Sequence, residues 1–231
     1  MQGVLQMKVS IIMLTHSAKK YVKISIQTLR RRTNYGGGYE LIVVDNDSDF
    51  RTRHLLSRLY FNGSIDKLVF SKENLMFAKG NNVGSELTSP SSEYILLLNS
   101  DVEIRDSAWL TKMVDCLEKS HRNVAAVGLN SCDGIPRCDG FAMLIKKNLY
   151  KQYKLDENYE WWWSVTKIQA DIRNEGYSVV AVKNYENLLY HFGGRSPKER
   201  IATAKGMDIS ISEIKSWFKC DQKSFIEIDK L

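Results

Sequence analysis

Three short apolar runs, each emptied at once into a polar loop, constrain this chain more than any other feature of its sequence. They are Val9-Ser10-Ile11-Ile12-Met13-Leu14, Leu41-Ile42-Val43-Val44 and Tyr94-Ile95-Leu96-Leu97-Leu98. The runs are nearly continuous rather than alternating, so a strand made from them must be covered on both faces. Between them, Val22, Ile26 and Leu29, then Leu55, Leu56 and Leu59, recur at helical spacing. Strand and helix in alternation imply parallel βαβ units of right-handed connection, an α/β fold. In such a sheet functional groups collect at the carboxyl ends of the strands. The loops after Leu14, Val44 and Leu98 are therefore expected to face one crevice.

The remaining elements are less regular. Lys67 to Ser71 reads as a third strand, and a short helix is expected from about Asn81 to Leu87. Trp109, Met113, Cys116 and Leu117 mark another amphipathic helix. Val124–Leu129, Ala142–Ile145 and Tyr177–Lys183 read as strands, with a helix carrying Val165, Ile168 and Ile172 that ends at Gly176. A last helix is expected over Ser210–Phe218, with Ile211, Ile214 and Phe218 on one face. The 231 residues suffice for one sizeable core, and no repeat or boundary divides them.

Composition removes several function classes. No apolar run approaches the roughly 18 residues needed to span a bilayer, and Met1 to Met7 lack the layout of a signal peptide, so a cytoplasmic protein is expected. Cys116, Cys132, Cys138 and Cys220 form no Cys-x-x-Cys pair and read as free thiols. A net charge of +6 permits anionic partners, but the basic residues lack the aromatic-interleaved stripe of strand recognition, so no nucleic acid is expected. Arg30-Arg31-Arg32 reads as a solvated helix end, where cations suit the dipole, with peripheral contact to acidic lipid as the lesser reading.

Four segments carry chemistry. Asp45, ending a buried strand in Asp45-Asn46-Asp47-Ser48, is placed to accept a hydrogen bond from a base edge, although taken alone a plain strand-ending turn is the stronger explanation. Asn99-Ser100-Asp101 follows a strongly apolar strand, and a carboxylate there can hold Mg²⁺ or Mn²⁺ together with substrate phosphates and water. In Glu73 to Gly84, Gly80 allows a close backbone approach, and a helix start near Asn81 favours an anion. His191 can ligate a metal, and Gly193-Gly194-Arg195 makes a basic loop able to close over a diphosphate.

In this order the motifs resemble the inverting glycosyltransferases of family 2, which have the GT-A fold, a mixed, mainly parallel sheet flanked by helices. The matching pieces are Val9 to Ile12 with Thr15, Leu41 to Asp45 with Ser48, Asn74 to Asn82 and Leu96 to Asp101. They continue with Gly140 to Ile145, Leu155-Asp156-Glu157, Gly176-Tyr177 and His191, so the resemblance covers about residues 8 to 200. Within the family it is nearest to members that transfer rhamnose and related sugars for surface polysaccharides. It implies one domain, with a nucleotide-sugar half over about residues 8–105, an acceptor half over about 106–200, and a tail with a helix over 201–231.

What the resemblance implies for single residues is specific. Thr15 and Asp45 would hold the base and ribose of a UDP- or dTDP-sugar, and Asn74, Lys79 and Asn81 would line the nucleotide pocket. Asn99-Ser100-Asp101 stands where the family has Asp-x-Asp; Asp101 would be the principal metal ligand and His191 a second. Arg195 and Lys198 would approach the diphosphate. Asp139, Gly140 and Phe141 would sit near a saccharide or glycoconjugate acceptor, with Trp162 able to stack on it. The family's Glu-Asp pair, counted back from Gly176, falls on Ser164 and Val165, neither of which can take a proton. Glu160, beside Trp161-Trp162-Trp163, is then the favoured base, ahead of Glu157, Asp156 and Asp139.

Two rival readings differ in class. A sugar-phosphate nucleotidyltransferase would carry a glycine-rich loop after the first strand, whereas Thr15-His16-Ser17-Ala18-Lys19-Lys20 has no glycine. A non-catalytic sugar-nucleotide-binding module is compatible with the missing Glu-Asp pair.

Overall fold

The computed structural model describes residues 8–132, 134–195 and 204–231. Its first strand, β1 (Val9–Thr15), lies between β2 (Tyr39–Asp45) and β4 (Tyr94–Leu98), parallel to both. This central position explains the unbroken apolar run: Ile11 and Met13 face one layer of helices, and Ile12 faces the other. β3 (Lys67–Phe70) closes one edge of the sheet beside β2.

Beyond β4 the sheet turns mixed. β7 (Ala142–Lys146) runs antiparallel to both β4 and β6 (Val124–Leu129), and β6 pairs in parallel with β8 (Ser178–Val182). β10 (Phe225–Ile228), preceded by a single 3₁₀ turn, completes the far edge on β8, giving the order β10-β8-β6-β7-β4-β1-β2-β3. The fold is thus α/β with a mixed, mainly parallel sheet. A separate two-stranded ribbon pairs β5 (Val102–Ile104) with β9 (Leu189–His191), and its register sets Val102 opposite His191.

Two helical layers cover the sheet. α1 (Lys19–Arg32), α2 (Phe50–Phe61) and α4 (Trp109–Glu118) bury Val22, Ile26, Leu29, Leu55, Leu56, Trp109 and Met113 against one face. α3 (Met76–Glu86), α5 (Lys147–Tyr153) and α6 (Trp162–Asn174) cover the other, with Ala78, Leu149, Val165 and Ile168 buried there. A short helix, α7 (Ile211–Ser216), is capped by the Ser210 hydroxyl and buries Ile214, but Ile211 is 49% exposed, so the expected three-residue apolar face is not formed. Among the described residues no helix is long and apolar enough to cross a membrane.

α3 begins at Met76, a turn and a half before the expected start near Asn81. Its first amides are satisfied from outside the helix: Asn74 Oδ1 accepts from Met76 N at 2.9 Å, and Glu160 O accepts from Phe77 N at 2.9 Å. Its glycines also have a packing reason. A Cβ on Gly80 would strike Leu14, and one on Gly84 would lie 2.5 Å from Ile12 Cγ2, so only glycine lets this helix lie directly on β1.

Candidate functional site

The parallel register brings Thr15 opposite Asp45 at the carboxyl ends of β1 and β2. Asp45 is fully buried, with Thr15 Oγ1 donating to Oδ1 at 3.4 Å, Ser48 N donating to Oδ2 at 3.4 Å and Arg53 Nε at 3.2 Å. The carboxylate expected to accept a hydrogen bond from a base edge is thus closed off from solvent by its own neighbours. Burial raises its pKa, and hydrogen bonds from Ser48 and Thr15 with the Arg53 charge oppose that rise. Around it the two loops are laced together. Asn46 N donates to Thr15 O at 2.7 Å, His16 Nδ1 lies 2.7 Å from Asn46 O, and Ser17 N donates to Ser48 Oγ at 2.7 Å.

At the end of β4, adjacent to β1 and parallel with it, lies a second cluster. Asp101 Oδ1 and His191 Nε2 are 3.2 Å apart, and Asn99 Nδ2 is 3.4 Å from the same imidazole nitrogen. Phe192 N donates to Asp101 O at 2.9 Å, so the ribbon strand β9 holds the imidazole there. Asn99 N donates to Phe141 O at 2.8 Å, and the Phe141 ring stacks on His191 at 4.4 Å between centroids. Residues 90 positions apart in sequence thereby meet. Ser100 is buried between Asn99 and Asp101 in the chain.

Asp101 and His191 are the residues of this cluster that could hold a divalent cation. One carboxylate oxygen and one imidazole nitrogen face each other, and no group of three or more His, Cys, Asp or Glu side chains converges among the described residues. Two protein donors are too few for a closed cage, which suits a metal that completes its shell with diphosphate oxygens and water.

The remaining expected residues are distributed around these clusters. Asn74 Oδ1 accepts from Asn46 Nδ2 at 2.6 Å, which ties the α3 entrance to the loop after β2. Lys79 is exposed and lies 3.6 Å from Glu73. Asn81 is buried and donates to Phe77 O at 2.9 Å inside its own helix, so the helix start invoked for it lies five residues upstream. The Arg195 guanidinium lies 5.3 Å from the Tyr21 ring centre, on α1. Lys198 lies outside the described residues.

On the acceptor side, Gly140 abuts α6: a Cβ there would lie 2.7 Å from Val165 Cγ2. Asp139 is half-buried and its Oδ1 accepts from Gly140 N at 2.6 Å. Trp162 is 39% exposed and meets Trp163 edge-on at 6.0 Å. Glu160 Oε2 accepts from Lys205 N at 2.7 Å, and Glu157 Oε1 accepts from Asn82 Nδ2 at 3.0 Å. Ser164 and Val165 are both buried.

Sequence reasoning missed Arg53, the Tyr21–Phe192 contact (5.0 Å between centroids) and Tyr185, which flanks Phe141 at 5.2 Å. The only available signal was the position of Phe192 directly after His191.

The match that decides the family spans most of these elements. A family model described as Glycosyl transferase family 2 matches residues 10–181, from β1 to β8. The chain belongs to that family. No curated protein sequence matches it. Among solved structures, this family 2 chain is similar to the mannosyltransferase PcManGT from Pyrobaculum calidifontis, in complex with GDP-Man and Mn²⁺, at TM-score 0.64 and 16% identity, over 77% of this chain and 55% of that one. It is similar to S. aureus TarS 1-349 in complex with UDP-GlcNAc at TM-score 0.53 and 17% identity, over 65% of this chain and 49% of that one. A third, GalNAc-T7 with UDP, GalNAc and Mn²⁺, gives TM-score 0.63 and 12% identity over 75% of this chain and 42% of that one. These likenesses establish the GT-A fold. The family 2 chain spans 42% to 55% of the length of these three solved structures.

Proposed function

We propose that this family 2 chain transfers a sugar from a nucleoside-diphosphate donor, UDP- or dTDP-linked, to a hydroxyl of a saccharide or glycoconjugate, with inversion at the anomeric carbon. The observation that carries the reading is the pairing of Asp101 with His191 at 3.2 Å, at the end of a strand whose neighbour ends at Thr15. The similar structures that hold GDP-Man with Mn²⁺, UDP-GlcNAc, or UDP with Mn²⁺ support it as relatives in fold.

In this reading the Thr15 and Asn46 loops hold the nucleoside, with Asp45 as the buried post to which both loops are tied. Asp101 and His191 hold a divalent metal, Mn²⁺ or Mg²⁺, which when bound neutralises charge on the diphosphate. Arg195, in the segment after β9, approaches the leaving group, and Lys198 is the second cation that the family resemblance implies. A carboxylate takes the proton of the acceptor hydroxyl; the oxygen forms its bond to the anomeric carbon as the bond to the diphosphate breaks and its electron pair leaves with the phosphate.

For that carboxylate we favour Asp139 over Glu160 and Glu157. Its chain neighbour Gly140 packs on Val165, one of the positions the family's acidic pair would occupy, and among the described residues its Oδ1 accepts only from that neighbour's N–H, whereas Glu160 accepts from the distant Lys205 N and Glu157 from Asn82 Nδ2. The test is turnover of a panel of UDP-, dTDP- and GDP-sugars with Mn²⁺. Transfer or donor hydrolysis that drops on the order of 100-fold in Asp101→Ala supports the reading; unchanged turnover removes the metal assignment.

A second reading, a sugar-nucleotide-binding module without turnover, is favoured by one observation: α6 opens with Ser164 and Val165 buried and no carboxylate. Nucleotide binding with no turnover of any donor would establish it.

A further inference from the structure

Helices α1 and α2 lie side by side on one face of the sheet and contain nine Lys or Arg residues with no Asp or Glu. The whole chain carries +6, so everything outside these two helices sums to −3. Such a concentration is not needed to stabilise the helices. Lys19 and Lys20 stand in the first turn of α1, the end at which the helix dipole disfavours cations.

Three of the nine have partners within the fold: Arg30 with Asp66, Arg32 with Ile104 O, and Arg53 with Asp45. The other six, Lys19, Lys20, Lys23, Arg31, Arg51 and Arg58, are exposed and form no ion pair among the described residues. Between the first turns of the two helices lies a cleft of about 800 Å³ lined by Lys19, Lys20, Lys23, Asp49, Phe50 and Arg51. Its one acid, Asp49, is engaged in capping α2 through Thr52 N at 2.9 Å.

The same surface displays aromatic rings. Phe50 is 82% exposed and Phe61 is 85% exposed, at opposite ends of α2. They stand eleven positions apart, about three helical turns, so both project from one side of the helix, with His54 and Arg58 between them. Two phenyl rings held in water beside six unpaired cations have a cost that the fold itself does not require. Apolar rings on a basic face are the features of a protein surface that lies in a membrane interface, where the rings enter the acyl boundary and the cations meet acidic headgroups.

We propose that the outer face of α1 and α2 docks this protein on an anionic lipid bilayer. Phe50 and Phe61 insert, and Lys19, Lys20, Lys23, Arg31, Arg51 and Arg58 neutralise headgroups. The charge of the face is complementary to that partner, and its two rings distinguish a bilayer from a dissolved polyanion, which would use the cations alone. The face also adjoins the nucleotide end of the sheet: Asp49 N donates to Ser17 Oγ at 3.1 Å, one residue before Phe50.

The experiment is sedimentation of the full chain with vesicles of phosphatidylcholine alone and of phosphatidylcholine with phosphatidylglycerol, without any nucleotide. Binding should require phosphatidylglycerol, weaken as salt rises, and fall at least tenfold in Phe50→Ser/Phe61→Ser and in Lys19→Gln/Lys20→Gln/Lys23→Gln. Thermal melting checks that both variants fold, and Lys151→Gln, on α5 across the sheet, should bind as the parent does. Binding to heparin that matches vesicle binding and is unaffected by the Phe variant would overturn the proposal in favour of a soluble polyanion. No binding to acidic vesicles would overturn it outright. Neither result touches the sugar-transfer reading, whose turnover assay contains no lipid.

Discussion

The Phe141 ring lies flat against the His191 imidazole, with centroids 4.4 Å apart and planes 10° from parallel. Tyr185 closes the far side of Phe141 at 5.2 Å, and the Phe141 carbonyl is tied to Asn99 N. A segment entering β7 thus sets the plane in which His191 presents Nε2 to Asp101. Phe141→Leu keeps most of the buried volume but removes the stacking face, so its stability loss should stay under about 1.5 kcal/mol. Phe141→Ala should lose about 3–5 kcal/mol. Both should weaken Mn²⁺-dependent nucleotide binding, and the Leu variant decides the matter: thermal melts near those of the parent with Mn²⁺ titrations shifted about tenfold would assign Phe141 to orienting the imidazole. An unshifted titration would reduce it to packing.

Asp139 and Glu160 compete for the role of base, and chemistry can separate them. Azide needs no deprotonation, so it can attack a bound sugar donor without a base. Asp139→Asn should lose hydrolysis and transfer to hydroxyl acceptors by on the order of 100-fold while forming glycosyl azide at the parental rate. Glu160→Gln should disturb mainly the Lys205 contact and change transfer by less than tenfold. The reverse pattern would return the assignment to Glu160.

Gly140 permits the approach of β7's entry to α6. With no Cβ it leaves room for Val165, whose Cγ2 would sit 2.7 Å from an added methyl. Gly140→Ala should therefore cost roughly 1–3 kcal/mol by overpacking, read as a lowered urea midpoint. Val165→Ala removes the obstructing methyls, so the double variant should be more stable than the sum of the two single losses. Strict additivity would mean that the two residues do not press on each other.

Much of the sheet was legible because burial on both faces leaves unbroken apolar strings; β1, β2 and β4 fall within a residue or two of their expected ends. The α1, α2 and α4 stripes were legible for the corresponding reason at helical period. β5 and β9 were not, since three residues each are too few to show a period, and their pairing is what brings His191 to Asp101. α5 follows β7 without an intervening loop, and β10 is a half-buried edge strand, so neither announces itself. At the site, sequence named Asp45 and Asp101, but the depth of Asp45 depends on Arg53, Ser48 and Thr15 closing over it, a tertiary event with no local signature.

That depth has a consequence for acid stability. Burial pushes the Asp45 carboxyl above its usual range, and Ser48, Arg53 and Thr15 oppose the rise only in part. The folded chain therefore holds a proton on Asp45 at pH values where the unfolded chain has released it. The resulting stabilisation is fully present below the ordinary carboxylate value of about 4 and is lost as pH rises through the raised native value. Asp45→Asn has no such proton to hold. The stability of the parent minus that of Asp45→Asn should thus decline with rising pH across the acid range and become level towards neutrality. Arg53→Met removes the one guanidinium that favours the charged form, so in that background the decline should extend to higher pH. Urea midpoints at a series of pH values for the four proteins, parent, both single variants and the double, measure this directly. A difference that grows with pH would mean that Asp45 is held in its charged form by the groups around it, and that its burial is outweighed.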